Sequence, residues 1–139
     1  MDKTDFILGK KVFDLEKKLA DYVGVKHCVT CANGTDALLI PLMAKNIGFG
    51  DAVFTTNFSY FATTEVISLV GATPVFIDIN EKTFNINAEL LEIQINKTLE
   101  QGKLKPKAII AVDLFGQLAN YKDIKKIAKK YNLFLIEDA

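Results

Sequence analysis

Apolar positions along this chain follow two periods that replace one another, and the alternation spells out helices and strands in turn. From about Lys10 to Val23, the residues Val12, Leu15, Leu19, Tyr22 and Val23 fall on one helical face, and Gly24 stands where a C-cap belongs. Lys26 to Cys31 reads as a strand. Thr35 to about Asn46 carries Ala37, Leu38, Leu39, Leu42 and Met43 as an apolar helix containing Pro41, closed by Gly48 and Gly50. Ala52 to Thr56 reads as a strand, Asn57 to Ser59 as a loop, and Tyr60 to Val70 as a helix ended by Gly71. Then follow a strand over Pro74–Ile79, an amphipathic helix over Ala88–Leu99 and a buried strand over Lys107–Val112. After a loop at Asp113–Asn120 come a helix over Lys122–Tyr131 and a strand over Leu133–Ile136. Strands separated by helices of this length predict a parallel sheet covered on both faces, a three-layer α/β/α fold.

Length fits one domain, and 50% hydrophobic residues suffice for a core. Seventeen basic residues balance seventeen acidic ones, so no charge surplus argues for nucleic acid. The lysines between Lys122 and Lys130 interleave with Ile124, Ile127 and Ala128 at helical spacing and read as a solvated face. No apolar run is long enough to span a bilayer, and Met1–Asp5 carries no signal pattern, so the cytoplasm is the expected location and a membrane partner is not expected.

Candidate chemistry is sparse. Cys28 and Cys31 lack the second pair that a zinc site needs, and three residues apart on a strand they point to opposite faces. Small buried thiols are the plainer reading, and no metal is expected. The single histidine, His27, has no visible partner. Gly48-Phe49-Gly50 lacks the third glycine of a dinucleotide fingerprint, which speaks against an oxidoreductase domain. Two places remain. Asn33-Gly34-Thr35 leads a loop into a helix, where free amides and the helix dipole suit a phosphate; a plain helix start capped by Asn33 explains the same residues. Ile136-Glu137-Asp138-Ala139 sets two carboxylates at the end of an apolar strand, where open α/β sheets keep their chemistry.

Six phrases occur in fixed order: Phe6-Ile7-Leu8-Gly9, Ala32-Asn33-Gly34-Thr35-Asp36-Ala37-Leu38, Gly50-Asp51-Ala52-Val53, Ser59-Tyr60-Phe61-Ala62-Thr63, Gly71-Ala72-Thr73-Pro74-Val75 and Ile136-Glu137-Asp138-Ala139. Together they resemble the DegT/DnrJ/StrS-type sugar aminotransferases, pyridoxal 5'-phosphate enzymes of nucleotide-sugar and polysaccharide biosynthesis. The version beginning Cys31-Ala32-Asn33-Gly34 looks closest to transaminases of a UDP-linked 2-acetamido-3-oxo-glucuronate.

The resemblance implies an aspartate-aminotransferase-like (fold type I) large domain, of which residues 1–139 would be a single N-terminal part. It implies that Gly34 and Thr35 hold the cofactor phosphate, that Tyr60 stacks on the pyridine ring (with Phe58 and Phe61 as neighbouring rings) and that Asp138 pairs with the pyridine nitrogen. Glu137 is expected to point to the other side of its strand. The family's Schiff-base lysine falls in sequence beyond this chain, so no catalytic residue is assigned and the chain alone is expected to be inactive. It reads as a truncation, a split gene product or an expressed fragment. The family fold would also leave a gap of two strands between the phosphate side and Asp138, which the chain is expected to close by re-pairing or self-association. A nucleotide sugar, an amino donor such as glutamate and a second copy of the chain are the partners implied. A non-catalytic phosphate-binding or interaction module, or one half of a split enzyme, is the alternative.

Overall fold

The computed structural model describes residues 7–139. Residues Met1–Asp5, read above for a signal pattern, and Phe6 of the first family phrase lie outside the described residues. The chain divides into two compact units, Met1–Ala37 and Leu38–Ala139.

In the first unit, helix α1 (Lys10–Val23) has the predicted bounds. Gly24 ends it at φ 76°, and its amide returns to the Ala20 carbonyl at 2.9 Å. That left-handed conformation costs a residue with a Cβ about 1 kcal/mol of backbone strain, which is why glycine is favoured at this cap.

The strand expected over Lys26–Cys31 does not form; these residues are irregular. A strand exists only when a neighbour completes its ladder, and strand-forming residues do not supply one. Here a side chain satisfies the backbone instead: the Thr30 amide and hydroxyl both donate to Glu16 Oε1, at 2.8 and 2.9 Å. Those two donors, the amide first, hold the Glu16 carboxyl below the usual carboxylate range. The thiols also differ from expectation. Cys31 is exposed, Cys28 is half-buried, and both are free. With no strand there are no opposite faces to separate them.

Helix α2 (Gly34–Ala44) carries residues of both units and keeps Pro41 inside it. The second unit then runs β1 (Asp51–Thr56), α3 (Phe61–Leu69), β2 (Thr73–Ile77), α4 (Ala88–Gln101), β3 (Lys105–Val112), α5 (Tyr121–Lys130) and β4 (Phe134–Asp138). Each matches a predicted element to within a few residues. The four strands pair in parallel, in the order β2-β1-β3-β4.

Both faces of this sheet are covered, as a parallel sheet requires. On one face Phe54, Ile109 and Ala111 pack with Leu91 and Ile95 of α4 and Ile124 and Ile127 of α5. On the other, Val53, Ala108, Ile110 and Ile136 pack with Val66 and Ile67 of α3 and with Leu38 and Leu42. The alternation of Val53/Phe54 and Ile109/Ile110 between the two cores is the period-2 pattern of a fully buried strand. The three-layer α/β/α arrangement is therefore that of the second unit.

Candidate functional site

Because the strands are all parallel, their carboxyl ends share one edge, and the segments following them gather there. Asp138 is the last residue of β4 and pairs in register with Val112. Its backbone carbonyl accepts the Asp113 amide at 2.9 Å, so the ladder continues to the strand's end. Ile136 belongs to the α3-side core, and alternation puts Asp138 on that same face. There Asp138 Oδ2 accepts the Thr63 hydroxyl at 2.8 Å, and Thr63 Oγ1 lies 3.1 Å from Ser59 Oγ. Among the described residues Oδ1 of Asp138 meets no donor, which leaves an acceptor free on a carboxylate whose other oxygen is fixed.

Tyr60 directly precedes α3 and is 81% exposed; Phe61 is 70% exposed. These rings are not core, although an aromatic cluster at a helix start often is. Phe58 is engaged differently. Its ring lies 5.8 Å from that of Phe84, which in turn meets Phe115 edge-on at 6.1 Å.

Glu137 is exposed, and Leu135 before it packs in the opposite core. The two carboxylates therefore part across the sheet, as alternation predicts. On the Glu137 side a buried carboxylate, Asp113, appears. Asp113 follows β3, and its Oδ1 accepts the Ala119 amide at 2.8 Å and the Tyr121 hydroxyl at 2.9 Å, while Oδ2 has no partner among the described residues. Burial, then the bond to Asp113 and the negative charges of Asp113, Glu137 and Asp138, push the Tyr121 phenol far above the ordinary tyrosine range. Asn85, also buried, accepts the Leu114 amide at 3.1 Å and donates to the Gln117 carbonyl at 2.8 Å. The loop between β3 and α5 is thus held from two sides.

In the first unit, Asn33 caps α2. Its Oδ1 accepts the Asp36 amide at 2.8 Å and its Nδ2 donates to Asp36 Oδ2 at 3.1 Å. The cap serves the third amide of the helix and leaves the first two, Gly34 and Thr35, with no acceptor among the described residues; the Thr35 hydroxyl has none either. A Cβ added at Gly34 would meet nothing within 4 Å. The structure thus offers a row of three donors beside open space at a helix amino end, an arrangement that suits a phosphate.

The family model for the DegT/DnrJ/EryC1/StrS aminotransferase family matches residues 1–139. The chain belongs to that family. It is 48% identical over 134 residues to the UDP-2-acetamido-2-deoxy-3-oxo-D-glucuronate aminotransferase of Pseudomonas aeruginosa, which covers 96% of this chain and 35% of the relative. A DegT DnrJ EryC1 StrS aminotransferase from Brucella abortus superposes with a TM-score of 0.94 at 53% identity, over 96% of this chain and 36% of that one. NtdA from Bacillus subtilis, solved with bound cofactor PMP, superposes with a TM-score of 0.83 at 30% identity, over 94% of this chain and 28% of that one. The fold is therefore part of a fold type I aminotransferase, and the family implies pyridoxal phosphate as its cofactor. The chain spans about a third of the length of the curated relatives it matches.

Of the four residues singled out in the sequence, Tyr60 and Asp138 fall in the second unit, joined through Ser59 and Thr63, and Gly34 and Thr35 fall in the first. Thr63, Asp113, Tyr121 and Asn85 received no role from the sequence. Asp113 carried a readable signal, an acid directly after a buried strand; Thr63 carried none beyond its place in a family phrase. Among the described residues no group of three or more His, Cys, Asp or Glu could hold a metal, and no helix is long and apolar enough to cross a membrane.

Proposed function

We propose that this chain supplies the phosphate-holding and ring-nitrogen side of a pyridoxal-phosphate-dependent aminotransferase. Its acceptor would be a keto group on a nucleotide-linked sugar, its donor an amino acid such as glutamate, and its setting polysaccharide synthesis in the cytoplasm. The observation that carries the reading is Asp138: a carboxylate at the carboxyl edge of a parallel sheet, one oxygen fixed by a buried hydroxyl and the other open. When bound, the cofactor supplies an electron sink. In this reading Asp138 keeps the ring nitrogen protonated, because a nearby anion favours the cationic form. Gly34 and Thr35 offer their amides, and Thr35 its hydroxyl, to the phosphate. Tyr60 offers an exposed ring to the face of the heterocycle.

Similarity at 48% identity to the P. aeruginosa enzyme, named for a UDP-linked 3-oxo sugar, favours a substrate of that class. Residues 1–139 would then form one part of the family's large domain, working in a homo-oligomer. Because the chain spans about a third of its relatives, turnover is proposed for the longer assembly, and the chain alone is expected to bind cofactor without turning over substrate.

The test is retention of pyridoxal phosphate through desalting, read as visible absorbance before and after borohydride, beside equilibrium titrations with pyridoxal phosphate and pyridoxal. The expected result is saturable binding that needs the phosphate and weakens in Thr35→Ala and Asp138→Asn. Absorbance fixed by borohydride to one mapped lysine would add an anchor within this chain. Phosphate binding indifferent to Asp138→Asn would favour a non-catalytic module, and no saturable binding would overturn the reading.

A further inference from the structure

We propose that Thr63 is a positioning residue, which orients the Asp138 carboxylate and, through Ser59, ties it to the segment that presents Tyr60. The proposal rests on the reading of Asp138 as the ring-nitrogen carboxylate.

Thr63 is 1% exposed, in the first turn of α3. The same helix buries Val66 and Ile67 completely against the sheet, so the hydroxyl sits on a rigid support. A threonine hydroxyl has one proton to give. That proton is donated from Thr63 Oγ1 to Asp138 Oδ2, the two oxygens lying 2.8 Å apart. The contact of 3.1 Å between Ser59 Oγ and Thr63 Oγ1 must then run the other way, with Ser59 donating. The result is a directed chain, Ser59 to Thr63 to Asp138. Each step fixes one rotor: the ladder already holds the Asp138 backbone, the Thr63 proton selects its side-chain rotamer, and the Ser59 proton fastens the residue next to Tyr60. One buried hydroxyl therefore registers the carboxylate at one edge of the heterocycle with the ring proposed to cover its face. Its contribution is orientation, and it adds no charge.

Thr63→Val keeps the branched shape and removes the hydroxyl. Thr63→Ser keeps the hydroxyl and removes the methyl. A packing role predicts that serine is the more harmful change; a positioning role predicts that valine is. The first readout needs no cofactor: three-bond couplings from the Asp138 carboxyl carbon, which report its side-chain rotamer by NMR in the 139-residue chain. Wild type and Thr63→Ser are expected to show one rotamer and Thr63→Val an average. The second readout is the dissociation constant for pyridoxal phosphate, expected to rise about tenfold in Thr63→Val, the scale of a lost hydrogen bond to a charged group, and to be rescued in Thr63→Ser. An averaged Asp138 in wild type, a single rotamer in Thr63→Val, or serine behaving as valine does would overturn the proposal. Should wild type bind no cofactor, the functional reading fails while the couplings still decide the positioning role. Should Thr63→Val fail to fold, Ser59→Ala carries the test: the backbone order parameters of residues 59 and 60 are expected to fall, and unchanged values overturn the proposal.

Discussion

The Thr63 hydroxyl donates to Asp138 Oδ2 at 2.8 Å across 75 positions of sequence. This one bond joins the first turn of a helix to the carboxyl end of an edge strand, so the carboxylate is set by two elements remote from each other in the chain. Asp138 closes β4 at the side of the sheet where no further strand pairs with it among the described residues, and the bond supplies an anchor where a strand end would otherwise fray.

The opposite face of that sheet end has its own buried carboxylate. Asp113→Ala removes the acceptor of the Ala119 amide, and leaves the Tyr121 hydroxyl only its longer contact of 3.3 Å to the Ala111 carbonyl. A buried donor left without a partner, here the Ala119 amide, costs about 1–3 kcal/mol, so a clear fall in the urea midpoint is expected. The Tyr121 phenol, raised by burial and by Asp113, also makes a prediction for base. Its contribution to stability is present in full below the unfolded value of about 10 and is lost as pH rises above it. Tyrosinate absorbance should therefore show a late component that Tyr121→Phe removes.

Cap and phosphate donor can be separated at the start of α2. Asn33→Ala removes the acceptor of the Asp36 amide, which should cost about 1 kcal/mol of local stability, read by amide exchange in the first turn. Thr35→Ala leaves that cap in place. It should leave exchange unchanged while reducing the preference for pyridoxal phosphate over pyridoxal.

Acid should release the irregular segment before α2. Glu16 takes two bonds from Thr30, which lower its folded-state pKa. The contribution to stability is accordingly present above the unfolded glutamate value and lost as pH falls through the lowered one. The Thr30 amide shift should titrate below the ordinary glutamate range, and Glu16→Gln should abolish that titration.

Much of the fold was legible because its signals are local. Gly24 marks the end of α1 because glycine enters the left-handed conformation there without a Cβ penalty, and the short apolar runs at Ala52–Thr56 and Lys107–Val112 are β-branched and strand-length, as buried strands are. Lys26–Cys31 misled for the complementary reason. Its small and β-branched residues suit a strand, but a strand is completed by a neighbour, and here the Glu16 carboxylate takes the Thr30 amide. At the site, Glu137 and Asp138 could be assigned to opposite faces from period alone. Thr63 could not be seen, since nothing near it in sequence reveals a carboxylate 75 residues away. Asp113 sat in plain view after its strand, yet its partners lie in a loop whose path the pattern does not encode.

The central proposal is that Tyr60 and Asp138 of the second unit serve one ligand, with Thr63 and Ser59 linking them. The most direct measurement follows backbone amide shifts of the labelled chain through a titration with pyridoxal phosphate. The account predicts that residues 60 and 138 move together with a single dissociation constant. Shifts confined to lysine-bearing surface segments, or movement at 60 with none at 138, would contradict it.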